Sequence, residues 1–404
     1  MSIAASTAPA TFVRDRATWL AYLAVGLFAF LQSSLGPVMP FLRADLGFGY
    51  ALASLHFSAM ALGMVATGIV GARIAGRWGR SDAFWRAAAG LVVSGLLVMT
   101  SPVAAGTILG AFGIGACGAL LAITIQANLA EQHGARRAQA IAELNVLASA
   151  CAVGASVAVG AAERTGIGWR GALFLAVVAY VGIVVGFRRV KINPMVPAGT
   201  NLGAHGRGRR GLPRAFYAYA AVISLGVSVE WCMVFWGADF LEKSAGLARA
   251  DAASAMSAFF LAMVVGRFAG SRLAARVASV TLLRTALLAT AAGFLVFWLA
   301  PVAALSVVGL FLTGLGTANV FPFTYTAALD AAPGQPDVAS ARLTVCGGSA
   351  VLIIPLILGL MADVVGIEWA FGIVLPLLAG ALGTVLVAER RTRIGAARAA
   401  HAAA

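Results

Sequence analysis

The chain has 404 residues, of which 61% are hydrophobic and 11% charged, with a formal net charge of +14. A soluble domain covers itself with about a quarter charged residues. These proportions exclude an ordinary water-soluble globule and point to an all-α integral membrane protein.

The first apolar run, 17–41, follows a short tail (1–16) and is too long for the apolar stretch of a signal peptide. It reads as a transmembrane helix that stays. Further runs able to cross a core of about 30 Å lie at 51–70, 84–101, 103–129, 138–161, 169–187, 215–240, 252–270, 279–299, 302–328, 338–361 and 367–388. Turns as short as Ser101-Pro102 and Ala300-Pro301 force antiparallel neighbours. Between the sixth and seventh runs, residues 188–214 are basic, rich in Gly and Pro, and unable to bury a core, so they read as a linker. The domain organisation is therefore a bundle at 17–187, the linker, a second bundle at 215–388, and a tail at 389–404.

All but five of the 29 Lys and Arg fall in stretches that alternate to one side; the five are Arg43, Arg164, Arg170, Lys243 and Arg249. This positive-inside bias puts both termini in the cytoplasm. The basic excess is thus a topological address, and no nucleic-acid partner is implied. Arg far outnumbers Lys, a hint of a GC-rich bacterial source and hence of the bacterial cytoplasmic (inner) membrane. The cysteines (Cys117, Cys151, Cys232, Cys346) sit in apolar runs with neither paired nor metal-type spacing, and read as small packing residues. The pattern calls for no cofactor and no metal.

The two bundles resemble each other. "GARIAGR" (71–77) returns as "GSRLAAR" (270–276), "AERTGIGW" (162–169) as "ADVVGIEW" (362–369), and "GIG" (113–115) as "GLG" (314–316), all at nearly one offset. Parallel six-helix repeats place a solute site at the interface between them.

With "RIAGRWGR" (73–80) in the loop after the second run, the chain resembles the major facilitator superfamily, whose signature there reads G-x-L-A-D-R-x-G-R-[KR]. The usual Asp is Gly76 here, and its second-half counterpart is Ala275. "LGPVMPFL", "GLGTANVFP", "IIPLILGLMADVVG" and "VEWCMVFWGADFL" resemble the branch containing fucose and other sugar:proton symporters. That branch carries acids in helices one and four, which this sequence lacks at mid-depth. The helix-four Arg of many exporters is also absent, with Leu109 in its place. The resemblance implies twelve transmembrane helices in two six-helix pseudo-repeats and a cytoplasmic gate built from Arg73, Arg77, Arg80, Arg272 and Arg276, with Asp82 the nearest acidic partner.

Glu143 and Glu230 stand out as acids inside the runs. An ionised residue at the centre of a span costs about 2.5–3.5 kcal/mol, so Glu230 needs a purpose or a partner. The functional reading is a proton-coupling acid; the alternative is a protonated structural Glu bonded to a neighbouring helix. Glu143, near the cytoplasmic start of its helix, is expected to pair with Arg136 or Arg137 and otherwise to gate. Shifted by one repeat, Gln32 falls on Trp231 beside Glu230, so both become candidates for solute contact, as do Asn319, close to helix-loosening Pro322, and Tyr325. Trp236 reads as an interfacial anchor. Asn145 and Ser149 read as helix glue. Arg342 is expected to pair with Asp330 or Asp337.

These residues lead to a secondary active transporter, a monomer handling a small-molecule solute and protons across the lipid bilayer. With no deep Lys or Arg recognised, the solute is expected to be neutral or weakly cationic, moved by proton-coupled symport. The alternative is a proton-driven exporter of hydrophobic or cationic compounds. An intramembrane enzyme or sensor is remote, because no catalytic cluster or H-E-x-x-H motif converges at one depth.

Overall fold

The computed structural model describes residues 12–190, 192, 212–332 and 335–387. Its first six helices are α1 (Arg16–Leu46), α2 (Tyr50–Trp78), α3 (Arg80–Thr100), α4 (Ala104–His133), α5 (Arg137–Arg164) and α6 (Trp169–Phe187). The other six are α7 (Arg214–Lys243), α8 (Arg249–Leu273), α9 (Ser279–Leu299), α10 (Ala303–Asp330), α11 (Pro336–Val365) and α12 (Ile367–Val387), the last with a 3-10 turn at Phe371–Ile373. Each expected span is a helix, and all twelve are long and apolar enough to cross a bilayer. Most of the linker, the first eleven residues and the expected C-terminal tail lie outside the described residues.

The helices overrun the apolar runs. With 31 residues, α1 extends about 46 Å at 1.5 Å per residue, well beyond a core of about 30 Å. Its outer turns therefore carry Arg43 and Asp45, which a hydropathy reading leaves out of the span. At its start, the Asp15 carboxylate caps α1 by accepting the Thr18 N–H at 2.8 Å and the Thr18 hydroxyl at 2.7 Å. Partial burial works to push that carboxyl up. Hydrogen bonds from Thr18 and Gln132, with His133 nearby, outweigh burial and leave it below its ordinary value.

The repeat seen in the sequence is also a repeat of backbone. Gly47 ends α1 at φ 68° and Gly246 follows α7 at φ 71°; Gly166 precedes α6 at φ 78° and Gly366 precedes α12 at φ 81°. Glycine tolerates this left-handed region without a Cβ clash. The matched "GIG" and "GLG" stretches serve close packing: a Cβ on Gly115 would strike the Met60 carbonyl, and one on Gly314 the Phe259 carbonyl. In lipid, helices associate largely through such close approach.

The halves meet mainly along three seams, α1 with α7, α2 with α11 and α5 with α8, and α1 also touches α8. The hydrogen bonds joining them cluster toward the side opposite the chain termini. Arg43 reaches Asp239, Asp363 accepts the N–H groups of Tyr50 and Ala51, Ser58 donates to the Leu352 carbonyl, and Arg164 bonds Asp251 and Ser254. Together these bonds shut the far side.

Candidate functional site

Directly beneath the far-side seal, a cavity of about 170 Å³ opens between the halves. Gln32 and Ser33 come from α1, Ala148, Ser149 and Ala152 from α5, Glu230, Trp231 and Val234 from α7, and Phe260, Met263 and Arg267 from α8. The α8 contribution is one stripe, at i, i+3 and i+7.

Side chains on a helix lean toward its N-terminus. Because α7 rises from the terminal side and α8 descends from the far side, Glu230 and Arg267 lean toward each other. Glu230 is half-buried and Arg267 exposed, and Arg267 is the charged group acting on Glu230. No ion pair or hydrogen bond joins them in this arrangement. The cavity thus holds one carboxyl group and one guanidinium on the C-terminal half, faced by the neutral Gln32, Ser33 and Ser149 of the N-terminal half.

The roof is tightly packed. A Cβ on Gly36 would overlap the Val234 carbonyl. Phe57 stacks on Phe235 at 4.0 Å, 3° from parallel, and meets Trp236 edge-on at 5.1 Å. The buried Trp236 indole donates to the Pro355 carbonyl at 3.0 Å. Above this layer Arg43 pairs with Asp239 at 2.6 Å and lies over the Tyr50 ring at 3.4 Å. Asp239 is wholly buried. Two atoms of the pair, Arg43 Nε and Asp239 Oδ2, have no hydrogen-bond partner.

A solute-sized cavity between two six-helix repeats, shut on one side, is the geometry of an alternating-access transporter. The family profile for the Major Facilitator Superfamily matches residues 21–236 and again 218–403. The chain belongs to that superfamily. As a member it is a multi-pass secondary transporter and not an enzyme. It is 25% identical over 366 residues to an uncharacterised MFS-type transporter of Yersinia pestis, covering 89% of this chain and 92% of that one. In fold it is similar to a bacterial homologue of the human lysosomal transporter Spinster in an inward-facing, unoccupied conformation. That match has a TM-score of 0.74 at 13% identity, covering 93% and 97% of the two chains. The nucleoside transporter NupG matches with a TM-score of 0.70 at 13% identity, covering 93% and 97%. The peptide transporter POT, in complex with sulfate, matches with 0.70 at 14% identity, covering 94% and 95%.

Of the residues singled out in the sequence of this transporter, Gln32, Glu230 and Trp231 come together at the cavity, as the repeat offset leads one to expect. Ser149, expected as glue, lines it too. Asn319 does not. Its amide donates to the Gly266 carbonyl at 2.7 Å in the α8–α10 seam, so its donor is engaged in holding two helices together. Tyr325 stacks along its own helix on Phe321 at 5.7 Å, away from the lining. Trp236 is a fully buried part of the roof, because the helix turns its indole toward α11 rather than toward the bilayer interface.

The ion pairs differ from those expected. Glu143 takes Arg14 at 2.7 Å, with Gln139 and Tyr22, in place of Arg136 or Arg137. Arg14, just before α1, brings a better-placed guanidinium. Arg80 is nearly buried and forms a forked pair with Glu131 at 2.5 and 2.8 Å, while Asp82 turns to Arg86 at 3.8 Å. Arg342 donates to the Tyr217 hydroxyl; the Asp337 side chain lies outside the described residues. Arg73, Arg77, Arg272 and Arg276 are all exposed on the terminal side, Arg272 lying over the Phe268 ring.

Sequence reasoning missed Arg267, counted among the cations of its loop side, and the Arg43–Asp239 pair. The signals were present. Arg267 falls on the Phe260–Met263 stripe, and Asp239 lies two i+4 steps beyond Trp231 through Phe235. Arg267 also removes the premise that the site lacks a cation.

Proposed function

We propose that this transporter carries a small organic solute through the cavity by alternating access, in symport with a proton taken up at Glu230. The observation that carries the reading is that Glu230 faces a solute-sized space between the halves without an ion-paired partner. A carboxyl so placed can change charge as the halves rock. The nucleoside and peptide transporters that share the fold handle polar organic molecules, which is consistent with the polar groups on the N-terminal wall.

Positive-inside bias supports placing the termini in the cytoplasm of a bacterial inner membrane, with the shut side facing outward. The linker 188–214 then tethers two bodies, 17–187 and 215–388, that rock as a monomer. On closure of the cytoplasmic side, Arg73, Arg77, Arg272 and Arg276 acquire partners across the seam. Protein in proteoliposomes enclosing a pH-sensitive dye tests the coupling. The correct solute should acidify the lumen down an imposed solute gradient, and Glu230→Gln should retain solute exchange without acidification. Unchanged acidification by that variant would refute the coupling role.

A second reading, an exporter of hydrophobic compounds, draws on an apolar groove of about 350 Å³ lined by Leu23, Phe30, Leu147, Leu175, Ile183 and Phe187 between α1, α5 and α6. Protection of growing cells against apolar dyes without any uptake activity would favour it.

A further inference from the structure

A cation inside a membrane protein ordinarily pairs with an acid or faces a water-filled space, because leaving it unmatched in lipid is costly. Arg267 is exposed and lines the cavity with the half-buried Glu230, to which it is not bonded. Its guanidinium presents a planar fork of donors that matches a carboxylate with two parallel hydrogen bonds. The opposite wall supplies the neutral hydrogen-bonding groups of Gln32, Ser33 and Ser149, while Trp231, Phe260 and Met263 supply apolar surface. Among the described lining residues, Glu230 and Arg267 are the ionisable ones, and Asn319 behind them on α10 is neutral. The volume, about 170 Å³, lies below the range of roughly 300–1,000 Å³ usual for drug-sized ligands.

We propose that Arg267 receives the anionic group of the solute, so that the cavity is a site for a small monocarboxylic acid with an apolar or aromatic body. This deepens, and rests on, the assignment of the cavity as the transport site. It replaces the expectation of a neutral or cationic solute. It also gives the proton a reason to travel with the cargo. While Glu230 is ionised, the cavity is neutral overall and Glu230 competes with the solute for Arg267. When Glu230 takes up a proton, the cavity carries one net positive charge and Arg267 is free for the carboxylate. One proton and one carboxylate then cross together without net charge.

The test is binding to the purified full-length protein, followed by tryptophan fluorescence and calorimetry, with benzoate, lactate, benzamide and benzylamine at acidic and neutral pH. Wild type should prefer benzoate over benzamide and benzylamine, more strongly at acidic pH. Arg267→Gln should weaken benzoate or lactate roughly ten- to hundred-fold with little change for benzamide, and Arg267→Lys should retain part of the preference. Comparing carboxylate with amide within one variant separates lost recognition from a poorly folded protein. Equal or tighter binding of the amide or amine, an Arg267→Gln variant with unchanged benzoate affinity, or failure of both carboxylates to bind overturns the proposal. Glu230→Gln should bind benzoate equally well at both pH values. If its pH profile instead matches wild type while Arg267→Gln still loses the carboxylate, the coupling role of Glu230 falls and the anion site stands.

Discussion

Two of the carboxylates on helix α7, Glu230 and Asp239, stand in opposite circumstances. Nine residues apart, they are separated by about 13 Å along the axis. Asp239 is wholly buried and locked at 2.6 Å to Arg43 of the other half. Glu230 is half-buried, faces a cavity, and has its matching charge, Arg267, across open space. A buried acid with a fixed cation clamps two bodies together; an acid beside a cavity with a movable partner can change charge. The surroundings, rather than the residue type, divide latch from carrier.

The sharpest way to break this contrast is to remove one member of the latch. Asp239→Ala leaves the partly buried Arg43 without its counter-charge, a loss of at most about 3–5 kcal/mol. It should appear as a large drop in melting temperature and as labelling of a cysteine placed beneath the roof from the side opposite the termini. Replacing both, Arg43→Met with Asp239→Leu, should recover most of the stability, since removing a whole buried pair is often neutral. If the single variant melts like wild type, the pair is no latch.

Next in size is the roof itself. Gly36→Ala sets a methyl group against the Val234 carbonyl, and overpacking of this kind costs about 1–3 kcal/mol. The sealed arrangement should become less populated, with hydrogen exchange rising around Phe57 and Phe235 while the cavity walls near Ser149 remain protected. The carrier should respond differently. Glu230→Gln should leave melting nearly unchanged but remove the accumulation that a pH gradient drives, about 1.4 kcal/mol for each pH unit, read as tracer uptake with and without the gradient. A third carboxylate calibrates both. Asp15 caps α1 outside the span, and Asp15→Ala should cost about 1 kcal/mol at neutral pH. Because the folded-state pKa of Asp15 is depressed, its contribution is present above the unfolded value near 3.9 and is lost as pH falls through the folded value. The gap in melting temperature between variant and wild type should close on acidification.

Much of this molecule was legible before any coordinates. Span length and apolarity identify a crossing helix because the bilayer demands internal satisfaction of every backbone group. The repeat offset aligned Gln32 with Trp231 because two copies of one bundle place equivalent residues at equivalent depth. Partner choice was not legible. Glu143 had two arginines nearby in sequence yet takes Arg14, and Arg43 finds Asp239 across 196 residues. Trp236 looked like an interface anchor until the rotation of α7 pointed it at Pro355.

The sequence alone thus determined the class, the number of crossings, the duplication and the depth of the central acid, all of which follow from local apolarity and period. Only the tertiary arrangement decided which charges meet, which side is shut, and that Arg267 shares a cavity with Glu230. Those outcomes depend on how each helix is rotated and how closely the halves approach, and packing between distant segments sets both.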